Sequence, residues 1–413
     1  ISLSVEAAEA IGMDKTSGSP AEIMSAILKA PVDLLWFGGI GTYVRASGES
    51  NQEVGDRAND AIRVVARDVG AKVIGEGANL GVTQRARIEF QLAGGRSNSD
   101  AIDNSAGVNS SDLEVNIKIA LAAAMRNGAL TRPARNKLLA AMTEEVAGLV
   151  LANNYRQTLA ISMVEQRGLS EMPHQARMMT LFEGQGHLDR TVEFLPGPEA
   201  IAERQSRGEA LTRAEIGVLL AYAKIVLFDE LVTSPLPDEA HFEADLFAYF
   251  PERMRSNYAA EIRGHRLRRE IIATELANDV IDRGGPTFVT RLQDMTGRPA
   301  HEIVAAYAVV RDGFELRPLL AAVDALDNKI DGQVQLELYQ RIWRLTLEAT
   351  AWQLKNGAAM GTAGERIRHL TAARQTLEPV LDSILPAFLK KEMADEASRL
   401  QTAGTPGELA ERI

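Results

Sequence analysis

The sequence predicts an α/β unit over residues 1–128 followed by a larger, mostly helical region over residues 129–413, the latter as one body or two. Three observations predict this. Two short apolar runs, Pro31-Val32-Asp33-Leu34-Leu35-Trp36-Phe37 and Ala71-Lys72-Val73-Ile74, each lead into a glycine turn, as parallel strands do. Helix starts around them carry Ser-x-x-Glu capping boxes. After Gly128 the texture shifts to long Ala- and Leu-rich amphipathic stretches, broken at Gly168, Pro196-Gly197-Pro198, Pro235-Leu236-Pro237 and Gly284-Gly285-Pro286.

Ser19 with Glu22, and Pro20 at the first helical position, open the first of these helices. The first strand then runs into Gly38-Gly39-Ile40-Gly41. Ser50 with Glu53 opens a second helix, and the spacing of Val54, Ala58, Ala61, Ile62 and Val65 predicts that it continues to Val69 and crosses over the sheet. The second strand leads into Gly75-Glu76-Gly77-Ala78-Asn79. Ser111 with Glu114 is a further capping box, predicting an Ala-rich helix that starts there and ends near Asn127-Gly128. In the helical region, Thr212 with Glu215 opens a helix whose Ile216, Leu219, Leu220, Ala223 and Leu227 form a buried stripe.

Composition narrows the function classes. Hydrophobic residues make up 46% and charged residues 24% of the 413, the mix of a soluble globular protein. Lys+Arg 45 against Asp+Glu 56 gives a net charge of −11, so the chain as a whole has no electrostatic reason to bind nucleic acid or an anionic membrane. Cysteine is absent, which removes disulfides, thiolate nucleophiles and Cys-ligated zinc, and a cytoplasmic setting is expected. The most apolar stretch, Gly217 to Phe228, is interrupted by Lys224 and is far shorter than the ~20 residues of a spanning helix. Because the chain opens on Ile1-Ser2, a fragment or processed product is expected. The histidines, His174, His187, His241, His265, His301 and His369, show no metal-ligand spacing. Arg263, Arg266, Arg268 and Arg269 read as a solvated or salt-bridging face.

In an open parallel sheet, ligands collect at the carboxyl ends of the strands, where glycine allows close approach to the backbone. Gly38-Gly39-Ile40-Gly41 fits that position, and equally fits a plain structural turn. Asn79 could hydrogen-bond a ribose or a carboxamide, or could simply occupy a left-handed turn position. A helix beginning at Ser111 would present free amides and positive dipole charge to a carboxylate, with the Ser111 hydroxyl as a further donor; the same serine could merely cap its helix. Asp112 in that first turn favours the capping role.

Glu76-Gly77-Ala78-Asn79, followed by Asn104-Ser105-Ala106-Gly107-Val108 and then a serine, resembles the signature pair of the glutamate dehydrogenases in order and spacing. Together with Trp36-Phe37-Gly38-Gly39-Ile40-Gly41-Thr42-Tyr43, it is more similar to the large-subunit bacterial branch than to the short hexameric enzymes. The motifs cover about residues 31–128, while residues 129–413 fit that branch by length and helical texture. Leu80-Gly81 stands where the short enzymes carry a proline and threonines, and Ser105-Ala106 replaces Ala-Gly.

The resemblance implies that residues 1–128 are the C-terminal part of a Rossmann-like NAD-binding domain. It implies NAD-dependent oxidative deamination of L-glutamate to 2-oxoglutarate and ammonia, in a homo-oligomer. It assigns Gly38, Gly39, Ile40, Asn79 and Asn104 to the cofactor and Ser111 to a substrate carboxylate. The family's catalytic lysine and aspartate and its Gly-rich nucleotide turn have no counterpart here; Lys15, Lys29, Lys72 and Lys118 read as surface lysines. No catalytic residue is therefore expected within this chain, which alone would be inactive. A helical assembly or regulatory module, or a dehydrogenase for another amino acid, are the alternatives.

Overall fold

The computed structural model describes residues 1–357 and 361–413. These form two compact units, Ile1–Tyr222 and Ala223–Ile413.

In the first unit, after a short helix at Val5–Ala10, helix α1 (Pro20–Lys29) is closed at its start by the expected box: Ser19 accepts from the Glu22 amide, and Glu22 accepts from the Ser19 amide. Strand β1 (Leu34–Phe37) pairs in parallel with β4 (Val73–Glu76), Leu34 opposite Val73 and Phe37 opposite Glu76. Arg96 adds a parallel bridge on the far side of β4. A second parallel pair joins β2 (Val44–Arg45) to β3 (Val64–Val65). Both pairs share a core of Leu28, Phe37, Val44, Val64, Ile74, Val82, Ala86 and Phe90, in which helix α2 (Gln84–Leu92) takes part. Parallel strands thus follow from apolar runs too short for helices.

The helix expected over Ser50–Val69 is not there. Its capping box forms, but the helix spans only Asn51–Val54 and stops at Gly55, whose φ of 79° is the left-handed termination that glycine supplies. Asp56 then leaves the helical path to accept from the Thr42 amide at 2.8 Å, and β3 follows. The spacing of Val54, Ala58, Ala61, Ile62 and Val65 was that of a helix only by coincidence.

Helix α3 (Ser105–Arg126) packs on α4 (Thr143–Arg167). It starts six residues earlier than the Ser111–Glu114 box predicts, so Ser111 lies inside it. Asn and Ser accept helical conformation readily enough here because the chain is already helical from Ser105: the Ser110 hydroxyl bonds back to the Ala106 carbonyl at 2.7 Å, and Glu114 pairs with Lys118 one turn on. Helix α5 (Arg213–Thr233) begins with the predicted box, the Glu215 carboxylate accepting from the Thr212 amide at 2.8 Å.

The second unit is helical throughout its described residues, built on α6 (Arg268–Gly284), α7 (Ala300–Gly313), α8 (Gly332–Asn356) and α9 (Ala363–Leu377). Helix α7 is its centre: Ile303, Val304, Ala306, Ala308, Val309 and Val310 are all fully buried, so it is enclosed on nearly every side. Gly313 ends it against Leu370 of α9, where a Cβ would fall 2.6 Å from the leucine. Among the described residues no helix is long and apolar enough to cross a membrane.

Candidate functional site

The parallel register sends the segments after β1 and β4 out of the same edge of the sheet, their carboxyl ends. After β1, Gly38 and Gly39 have open space where a Cβ would stand, and Ile40 is 80% exposed. The turn is anchored from behind: the Tyr43 hydroxyl donates to the Ile40 carbonyl at 3.0 Å, and the Tyr43 ring stacks on Phe37. A ligand can approach this backbone without displacing any side chain.

After β4 the glycines have another task. A Cβ on Gly75 would lie 2.5 Å from the Trp36 ring and one on Gly77 2.4 Å from it. The indole lies flat over both, so these glycines admit Trp36 rather than a ligand. The turn itself is held by buried charge. Glu76 is wholly buried and receives Arg87 through two bonds, Nε to Oε2 at 2.7 Å and Nη2 to Oε1 at 2.9 Å. Glu76 Oε1 also accepts from the Val82 amide at 3.1 Å. Asp103 accepts from the Glu76 amide and Asp100 from the Leu80 amide, at 3.0 and 2.9 Å. Burial pushes the Glu76 carboxyl up and Arg87 pulls it back; burial likewise raises Asp103.

Within this clamp Leu80, at φ 66°, takes the left-handed position, not Asn79. The Asn79 side chain is instead a hydrogen-bond partner: its Oδ1 accepts from Asn104 Nδ2 at 2.9 Å. Asn104 is the residue before α3, and its side chain does not cap that helix. The free amides of α3 therefore belong to its first turn at Ser105, and Ser111 lies about 9 Å further along the axis. A carboxylate on Ser111 would not sit at a helix N-terminus, contrary to the reading of its capping box. Asn104, Val108, Ser111 and Val115 follow helical spacing along one face, and Val108 and Val115 are 74% and 51% exposed. The structure thus joins Asn79 to Asn104 directly, and puts Ser111 two turns below on the same face.

Sequence reasoning missed Arg87, Asp100 and Asp103. The available signal was the spacing of Asp100 and Asp103 around the buried Ile102, which places both acids beside an apolar anchor. Lys15, Lys29, Lys72 and Lys118 each pair with a carboxylate at the surface, and Arg263, Arg268 and Arg269 do the same. No group of three or more His, Asp or Glu among the described residues is placed to hold a metal ion.

Residues 1–164 match the family model described as bacterial NAD-glutamate dehydrogenase, catalytic domain, and residues 208–413 match glutamate dehydrogenase, C-terminal. The chain is 42% identical to the NAD-specific glutamate dehydrogenase of Pseudomonas aeruginosa over 96% of its own length, and 39% identical to that of Halomonas elongata over 100%. With the NAD-specific glutamate dehydrogenase of Mycobacterium tuberculosis it shares 38% identity, again over 100% of the chain. It spans about a quarter of the length of these relatives, 24% to 26%. Matched from its parallel strands to its last helix, the chain belongs to the bacterial NAD-glutamate dehydrogenase family.

Proposed function

We propose that the chain supplies one wall of the active site in an NAD-dependent oxidative deamination of L-glutamate to 2-oxoglutarate and ammonia, its first unit forming part of a Rossmann-like NAD-binding domain. The observation that carries this is the Asn79–Asn104 bond at the carboxyl edge of a parallel strand pair. It leaves Asn79 Nδ2 as a donor and Asn104 Oδ1 as an acceptor, the complement of a carboxamide, which presents one of each. The residues present fit the dinucleotide: Gly38, Gly39 and Ile40 form an open rim, and the two asparagines lie next to it along the strand edge.

NAD, held by Gly38, Gly39, Ile40, Asn79 and Asn104, would supply the hydride acceptor for the α-carbon of glutamate. The protein's own share is to hold and orient. Asn79 and Asn104 orient the carboxamide and its ribose, Ser111 donates a hydrogen bond to a substrate carboxylate, and the exposed Val108 and Val115 on either side of it offer that face apolar contact. The partners are glutamate, 2-oxoglutarate and NAD, in a homo-oligomer; exposed Val380, Ile384 and Phe388 in the second unit support packing against another subunit.

The test is NADH formation by the whole parent enzyme with a panel of amino acids, compared with Ser111→Ala. Glutamate-dependent turnover, with KM for glutamate raised about tenfold or more in Ser111→Ala and helical content unchanged, is expected. Turnover with another amino acid instead would replace glutamate as substrate, and an unchanged KM would remove Ser111 from the site.

A further inference from the structure

The second unit holds a half-open cavity of about 230 Å³, lined by Leu236, Glu239, Arg298, His301, Ala305 and Arg366. At about 30 Å³ for each water, it has room for roughly seven waters or one small organic anion. Two helices packed on each other frame it, α7 through Ala305 and α9 through Arg366.

Arg366 is the unusual group. It stands in the first turns of α9 and is only 8% exposed. Its guanidinium makes one long contact, Nη2 to Gln353 Oε1 at 3.5 Å, and Nε has no hydrogen-bond partner. Among the described residues it forms no ion pair. The nearby carboxylates are engaged elsewhere: Glu239 accepts from the Ala363 amide at 2.9 Å, and Glu302 pairs with Arg298 at 3.3 Å. Burial and the positive end of α9 both oppose a cation at this point. Burial does draw the guanidinium below its ordinary range, with Glu239 and Glu302 pulling the other way. A buried planar fork with free donors facing a cavity is the arrangement that binds a carboxylate through two parallel hydrogen bonds.

We propose that this cavity is a binding site for a small carboxylate, held by Arg366, with Arg298 and His301 at its rim. It belongs to the helical unit and rests on none of the residues assigned above to NAD or glutamate. Such a ligand would repair the unpaired charge and tie α7 to α9.

The 413-residue chain is titrated with sodium succinate, sodium acetate and glycine, following its thermal midpoint against sodium chloride at equal ionic strength. Glycine separates a plain carboxylate from one bearing an ammonium group that Glu239 and Glu302 could meet. A saturable rise above the chloride control with at least one of the three is expected, weakened about tenfold or more in Arg366→Gln. Ala305→Leu keeps the guanidinium but fills the cavity, and is expected to weaken binding equally. Should Arg366→Gln fail to fold, Ala305→Leu alone decides. No rise above chloride in the unsubstituted chain, or a rise that either folded variant leaves unchanged, overturns the proposal.

Discussion

At the scale of single residues, the signature stretch after β4 carries two layers of information. Its glycines and its acid read in sequence as a ligand turn, and the turn is where expected. Their causes were hidden, because Gly75 and Gly77 are small to admit Trp36 from the neighbouring strand, and pairing across strands has no signal in one sequence. The partner of Glu76 was equally invisible: Arg87 lies eleven residues on, and only folding brings it to the carboxylate. This makes Gly77→Ala a sharp test. The new methyl would meet the indole at 2.4 Å, so the ring or the strand must move, at an expected cost of about 1–3 kcal/mol in urea unfolding. Trp36→Ala should relieve most of that cost in the double variant; a cost that stays additive would mean Trp36 is not what excludes a side chain there.

At the scale of elements, the capping boxes at Ser19, Ser50 and Thr212 were legible because both partners sit within four residues and need nothing from the rest of the fold. The box at Ser111 failed for a reason the same pattern cannot show. A capping sequence inside a helix already started at Ser105 has no free amides to cap, and Gly107 within that first stretch disguised the true start. At the Ser19 box the carboxylate should titrate abnormally. Lys15, at 2.7 Å, and then the amide and hydroxyl of Ser19 pull Glu22 down to about 2. Its folded value lies below its unfolded one, so its contribution is present above about 4.5 and is lost as the pH falls toward about 2. In a carboxyl NMR titration, Lys15→Met should move the Glu22 midpoint upward, and Ser19→Ala should move it further in the double variant. A Glu22 midpoint indifferent to both would remove the box as its cause.

At the scale of the molecule, the strand pairs and the all-helical second region follow from patterning, while the charged centre of the second unit does not. Arg311 falls in the apolar run of α7 and is 1% exposed. It bonds Asp279 of α6 at 2.9 Å, Asp245 at 3.1 Å and its own neighbour Asp312 at 2.7 Å. His241 closes the cluster on Asp312 at 2.8 Å. A charge directly after Val309-Val310 was the one sign in the sequence, and it identifies a buried cation without naming its partners. Burial alone would push Asp279 and Asp312 up; Arg311 for the first, and His241 with Arg311 for the second, more than offset it and hold both carboxyls below their ordinary values. Replacing the guanidinium takes the shared partner from buried Asp245 and half-buried Asp279 and Asp312, while Arg317 still pairs with Asp245 and His241 with Asp312, so Arg311→Met should lose about 3 kcal/mol at neutral pH, a large part of the about 5–15 kcal/mol that holds a domain folded. The sign with pH follows from the depressed values. In the unsubstituted chain the cluster stabilises above the unfolded value of about 3.9 and that contribution fades as the pH falls through the folded values. In Arg311→Met the carboxyls rise instead and protonate first, so the gap between the two proteins in urea midpoint should be widest near neutrality and shrink on acidification. Lys391→Met, which breaks an exposed pair with Asp395, should leave the midpoint unchanged at either pH. An Arg311→Met loss of the same size at both pH values would mean that volume in α7, and not the paired charge, sets the stability of this unit.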